Sequence, residues 1–239
     1  MNTSNPELTI VIPAKNEEGY IGKLLESIRI QDYQPIGRTE IYVADANSTD
    51  RTREIAQQFS EDLRIHIIPG GLPSVGRNAG AHLSSSRYLL FVDADIELPE
   101  PSLIRRSLEA AKTQGLYCAT TNIRCPQGSL MDRLLYGGSN LVQHLARYFK
   151  PFATGMYMLW DRDCFNEIGG FDERIAYAED YFLTKQVPGK RFGVIPGYVV
   201  TSNRRFRKMG HWKAARLFVR TALHTWDTAY FYKDHKYFE

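Results

Sequence analysis

Short apolar runs alternate along the first hundred residues with segments whose apolar positions recur every three or four. LTIVIP (Leu8 to Pro13) is a nearly unbroken β-branched run and predicts a strand covered on both faces, stopped by Pro13. Asn16 then precedes EEGYIGKLLESIRI, where Ile21, Leu24, Leu25 and Ile28 fall at helical spacing and Glu17 and Glu18 suit a first turn. EIYVAD (Glu40 to Asp45) predicts a second strand, and ANSTDRTREIAQQF a loop, an N-cap at Ser48 or Asp50, and a helix. LRIHIIP is a third strand, PSVGRNAGAHLSS a helix rich in small residues, and YLLFVD a fourth strand. Strands separated by helices of this length imply a mostly parallel sheet in an α/β fold.

After Pro101 the pattern is less regular. PSLIRRSLEAAKTQ predicts a helix with Pro101 near its start, and LYCATTNIRC a strand. The segment 129–150 is helical in composition but interrupted by Gly137-Gly138, with Leu134, Leu135, Leu141, Val142, Leu145 and Phe149 forming apolar faces that suit either the core or a lipid surface. ATGMYMLW (Ala153 to Trp160) predicts an extended segment. A short helix follows before Gly169-Gly170, and another opens at Ala178-Glu179-Asp180. No repeat or low-complexity linker divides the 239 residues, so the second half is expected to belong to the same domain as the first.

Composition narrows the classes. With 43% hydrophobic and 24% charged residues the chain can build a substantial core. A net charge of +3 is too mild to announce a nucleic-acid partner. Cys118, Cys125 and Cys164 are odd in number and lack zinc-like spacing, which points to a reducing compartment. The N-terminus shows no secretory pattern, and no apolar run reaches the length of a membrane span. The expected location is cytoplasmic, or peripheral at the cytoplasmic face of a membrane.

The candidate chemistry gathers at one edge of the predicted sheet. Strand one ends in Pro13, Ala14 and Glu17, strand two in Asp45, and strand four in Asp93 and Asp95. Ligands of open α/β sheets bind beyond the carboxyl ends of the strands, and carboxylates gathered there repel unless a cation or a hydrogen-bonding ligand joins them. Any one of these aspartates also serves as a turn former or helix cap. Their coincidence favours a site.

The ordered set VIPAKNEE, VADANSTDRT, GRNAGA, FVDADI, GGFDE and AEDYFL resembles the family 2 glycosyltransferases of GT-A fold, over about Leu8 to Phe206. The resemblance implies a GT-A (Rossmann-like), mixed, mostly parallel sheet with flanking helices in a glycosyltransferase domain at 1–206, its nucleotide-binding half about 1–100 and its acceptor half about 101–206. A basic, aromatic helical segment follows at 207–239. It implies transfer of a sugar from a nucleotide-diphospho-sugar with inversion. Pro13, Ala14 and Glu17 would line the nucleoside pocket, Asp45 would accept from a base N–H of uracil or guanine, and Arg77 would reach the nucleotide. Asp93-Ala94-Asp95 would be the Asp-x-Asp motif, Asp93 contacting the nucleotide and Asp95 holding Mn²⁺ or Mg²⁺ on the diphosphate. Asp180 would be the base, with Glu179, Thr154 and Gly155 shaping the sugar and acceptor pocket. Two departures stand out. VADANSTD replaces a more acidic, glycine-containing motif, and SNRRF (Ser202 to Phe206) occupies the place of the Gln-x-x-Arg-Trp motif of processive synthases, which favours single transfers.

Arg204 and Arg205 open a basic cluster, NRRFRKMGHWKAAR, whose guanidinium groups suit the diphosphate; His211 within it reads as a surface histidine. The aromatic stretch that follows, with Trp212, Leu217, Phe218, Trp226, Tyr230 and Phe231, suits peripheral contact with a membrane and a lipid-linked acceptor, and a homodimer contact would use the same residues. Two other functions share the aspartates: a sugar-phosphate nucleotidylyltransferase, for which IPAKNEEGYIGK is a poor phosphate loop, and a non-catalytic nucleotide-sugar binding module, which Asp180 argues against.

Overall fold

The protein is described here by a computed structural model covering residues 6–224 and 226–233, with some side chains between 205 and 222 also outside the described residues. Its first half follows the hydrophobic pattern closely. Strands β1 (Leu8–Ala14), β2 (Glu40–Asp45), β3 (Arg64–Pro69) and β4 (Tyr88–Val92) are separated by helices α1 (Ile21–Arg29), α2 (Thr52–Gln57) and α3 (Pro73–Leu83). All four are mutually parallel, in the order β3-β2-β1-β4. The β1 and β4 runs are buried on both faces because helices cover the sheet, and Ile10, Ile12, Leu90 and Val92 share one core with Leu24, Leu25 and Ile28 of α1. Strand order reverses between β1 and β4, the crevice where such sheets bind ligands.

The second half adds β5 (Ile96–Glu97), α4 (Leu103–Gln114), β6 (Cys118–Arg124), α5 (Leu130–Ala146), β7 (Tyr157–Asp161), α6 (Arg162–Ile168), α7 (Glu179–Thr184) and β8 (Phe192–Thr201). It extends the sheet as β4-β7-β6-β8-β5, with β7 antiparallel to both neighbours and β6 parallel to β8. Two further helices, α8 (Arg204–Met209) and α9 (His211–Leu223), form the helical C-terminal extension.

Several boundaries depart from the sequence expectation. Helix α1 opens only at Ile21, because Glu17 and Glu18 are drawn into a loop whose amides bond to Thr52 Oγ1 (2.7 Å) and Asp50 Oδ2 (3.0 Å). Helix α5 runs straight through Gly137-Gly138, stabilised at its start by a reciprocal Ser129–Asp132 capping box. The extended segment around Thr154 becomes strand only from Tyr157. Strand β8 had no signal in the sequence, since Pro188 and Gly189 precede it and Gly193, Pro196 and Gly197 punctuate it as if it were a loop. Its partner register jumps from Ile195 to Tyr198, so Pro196-Gly197 bulge out of the ladder, with Gly197 at φ 135°.

Candidate active site

The β1 and β2 ends are adjacent, with Ala14 paired to Asp45 in register, and their two loops are stitched to each other. Asn16 N–H donates to Ser48 Oγ (2.9 Å), Thr49 N–H donates back to Asn16 Oδ1 (2.9 Å), and Arg51 N–H donates to Glu18 Oε2 (3.1 Å). Asn16 and Asn47 both sit at positive φ, which asparagine tolerates. Asp45 is buried at the floor of this double loop, accepting from Ser48 N–H (3.1 Å) with the Arg53 guanidinium 3.7 Å away. Pro13 and Ala14 form the adjoining wall.

At the β4 end, Asp93 and Asp95 leave the sheet in different directions. Asp93 Oδ1 accepts from Arg77 Nη2 (2.7 Å), and Arg77 Nη1 donates to Glu179 Oε1 (2.5 Å). Arg77, expected to reach the nucleotide, is instead only 2% exposed: α3 carries it under the cleft, over the Phe171 ring, where it joins the end of β4 to the start of α7. Burial of a guanidinium is tolerated because two carboxylates face it, and their charges hold its pKa further up. A Cβ on Gly155 would collide with this guanidinium, so the loop can approach Arg77 only with glycine at that position.

Asp180 lies beside this pair. Gly155 N–H donates to its Oδ2 and its neighbour Tyr181 N–H to its Oδ1, both at 2.7 Å. Burial, reinforced by the adjacent Glu179, pushes its carboxyl up to about 7 against the pull of Arg77 and the two amides. The backbone is strained at this point, since Ala178, immediately before the two acids, adopts the left-handed region at φ 62°. Thr154 stands half-buried next to Gly155.

The third element of the site comes from the C-terminal extension. Arg204 Nη1 and Nη2 donate to the two oxygens of Glu17 (2.8 and 2.7 Å), and Nη2 also donates to Asp95 Oδ2 (3.1 Å). Burial holds the Glu17 carboxyl above its usual range, with Arg204 opposing and Asp95 and Asp93 adding to the effect. The Arg205 side chain lies outside the described residues. His211 is not the simple surface residue expected: Nε2 is 2.7 Å from the buried Asp132 carboxylate of α5.

Two participants were missed. Asn78 donates to Phe171 O (2.9 Å) and accepts from Phe171 N–H (3.0 Å), clamping the GGFDE loop to α3. Its only sequence signal was its place in GRNAG. Phe231, read as an interfacial aromatic, is fully buried against Tyr177 and Phe182, and its carbonyl accepts from Ala176 N–H (2.8 Å). It backs the segment that carries Glu179 and Asp180.

A parallel α/β sheet with acidic strand ends at its switch point, closed on one side by antiparallel β7, defines a protein of GT-A fold. Solved structures agree. The mannosyltransferase PcManGT from Pyrobaculum calidifontis, in complex with GDP-Man and Mn²⁺, superposes with a TM-score of 0.68 at 20% identity, over 90% of this chain and 65% of its own. S. aureus TarS 1-349 in complex with UDP-GlcNAc gives 0.64 at 19%, over 82% and 58%. Residues 9–170 match the family described as glycosyl transferase family 2, and the chain belongs to that family. Among curated relatives, glycosyltransferase AglE of Haloferax volcanii is 27% identical over 192 residues, 78% of this chain. The chain spans less than two thirds of the length of such relatives, 62% for AglE.

Proposed function

We propose that the chain is an inverting glycosyltransferase that moves a single hexosyl group from a UDP- or GDP-sugar to an acceptor hydroxyl. The observation that carries this reading is the Arg77 bridge between Asp93 and Glu179, which fixes the donor-side aspartate and the Asp180 base in one frame. Asp45 at the floor of the β1–β2 loops accepts from a base N–H, a donor that uracil and guanine both offer. Neighbours of the same fold are named with each nucleotide, so the choice between UDP and GDP stays open in the proposal. The acceptor O–H gives its proton to Asp180 as oxygen attacks the anomeric carbon, and the bond to the diphosphate breaks on the opposite face, its electron pair leaving with the nucleoside diphosphate.

Asp95 suits a hard divalent cation, Mn²⁺ or Mg²⁺, because it is a partly exposed oxygen donor beside a crowded Glu17, while Asp93, held by Arg77, is left to the nucleotide. Among the described residues no three metal-ligating side chains converge, so diphosphate oxygens and water would have to complete the shell. Such an ion supplies positive charge where the leaving diphosphate accumulates negative charge. Arg204 then has two roles in the proposal: it neutralises Glu17 and Asp95, and its guanidinium fork suits the diphosphate of the donor. The exposed Trp212 and Trp226 of the C-terminal extension support a lipid-linked acceptor.

Incubation with a panel of UDP- and GDP-sugars and Mn²⁺ or Mg²⁺ is expected to release nucleoside diphosphate. Asp180→Asn lowers that rate by about 10²–10⁴-fold while nucleotide binding persists. A variant as fast as the unmodified protein would remove Asp180 from the mechanism.

A further inference from the structure

Helix α5 is built inside out. Its polar residues face the sheet: Asn140 exchanges two hydrogen bonds with the Ile123 backbone, both 2.9 Å, and the buried Gln143 donates to Thr121 O (2.9 Å). The buried Asp132 meets His211. Four of its five leucines face outward, Leu135 alone packing against the core. Leu130, Leu134, Leu141 and Leu145 recur at spacings that 3.6 residues per turn place on one stripe, opposite Asp132, Tyr136 and Gln143. Leu130 is 75% exposed, and Phe149, just past the helix end, 86%. An apolar stripe this long on a surface helix marks a contact with something apolar.

The stripe continues onto a second element. Through His211, which also lies 3.4 Å from Ser129 Oγ, the start of α9 is pinned to the start of α5, and the residue that follows this pin, Trp212, is 90% exposed. Charge identifies what covers the face. Segments 124–150 and 202–223 contain eleven of the 30 Lys and Arg residues and one of the 27 acids, Asp132, so the rest of the molecule is net acidic. Among the described residues Arg124, Arg133, Arg147 and Lys150 are exposed and enter no ion pair. Arg124 and Arg133 also line a cavity of about 370 Å³ at the flank of the stripe, with Gly137 between it and the leucines. A leucine and tryptophan face rimmed by arginine and lysine whose charge no carboxylate in the described residues neutralises is complementary to a bilayer whose head groups are anionic.

We infer that the outer face of α5, continued by Trp212, docks the protein on an anionic membrane surface, the Arg124–Arg133 cavity taking a lipid phosphate. Thr154 and Gly155 follow the C-terminal end of α5 by eight and nine residues, so docking there brings a membrane-embedded acceptor towards the site. The inference deepens the lipid-linked acceptor reading and rests on it for its purpose, though not for its observations.

The test is co-flotation of the full chain with phosphatidylcholine vesicles, alone or mixed with phosphatidylglycerol. Binding is expected only to the mixed vesicles and is expected to weaken as salt rises. Leu134→Gln with Leu141→Gln should weaken it about tenfold or more, and Arg124→Gln with Arg133→Gln should abolish the preference for phosphatidylglycerol. Leu83→Gln, an exposed leucine elsewhere, should change nothing. Absence of flotation with mixed vesicles at low salt, or equal flotation by the double-leucine variant, overturns the inference. So does a concentration-dependent dimer that the leucine substitutions dissolve without any vesicle binding. Nucleoside diphosphate release in solution is measured in parallel: if it is retained while flotation fails, docking alone is wrong, and if it fails while flotation succeeds, the transferase reading is wrong.

Discussion

As the proposed base, Asp180 is held under two opposing demands. A base must be unprotonated to accept a proton, yet burial and Glu179 favour its neutral form. Transfer is therefore expected to rise with pH through about 7, and an acid limb near that value in kcat/KM is the measurement. The same shift acts on stability with a definite sign. A carboxyl whose folded pKa lies above its unfolded value binds more protons when folded, so its contribution is present at low pH and is lost as pH rises towards 7. Thermal unfolding midpoints of the unmodified protein should fall between pH 5 and pH 8 more than those of Asp180→Asn. Gly155 is constrained for a different reason. Gly155→Ala pushes a methyl into Arg77, which two carboxylates hold in place, and should cost about 1–3 kcal/mol in chemical denaturation along with activity. Neither constraint was legible in the sequence. Asp180 was found as a carboxylate in a motif, but its environment comes from a glycine 25 positions earlier and an arginine on another helix.

At the scale of elements, legibility followed the strength of the periodic signal. Strands β1 and β4 were readable because both faces are buried and every residue of their runs is apolar or small, and β2 because Ile41-Tyr42-Val43-Ala44 is an apolar run. Strand β8 was not, because a bulge needs the glycine and proline that otherwise mark a turn. Helix α5 was half legible: its period was visible, but periodicity alone does not tell which face points inward, and here polar side chains have the inward one. Two substitutions follow from that orientation. Gly138, with open space around its missing Cβ, should accept alanine with a gain of about 0.5–1 kcal/mol, read by thermal unfolding. Asn140→Ala should lose about 1–3 kcal/mol, since it leaves both backbone groups of Ile123 without their partner.

For the molecule as a whole, the site is a meeting point of distant chain segments. Arg204 reaches back to Glu17 across 187 positions, and Arg77 to Glu179 across 102. Local sequence signals place each of these residues at an element end, but the pairings are set by the whole sheet order, which is why motif order foretold the cleft and not its ion pairs. Arg204→Ala is expected to raise the KM for donor while also loosening the C-terminal extension, seen as faster limited proteolysis after residue 201. The burial of Phe231 has a parallel consequence for dynamics. Helix α7 has six residues, well under the roughly 12–15 at which an isolated helix persists in water. Its order must come from what packs on it, and Phe231 packs on both Tyr177 and Phe182. The amides of Phe182 and Lys185, which bond to Ala178 and Tyr181 carbonyls, therefore serve as reporters: their exchange with deuterium should accelerate in Phe231→Ala, and the helix that carries Asp180 should be seen to loosen from a residue 51 positions away in the chain.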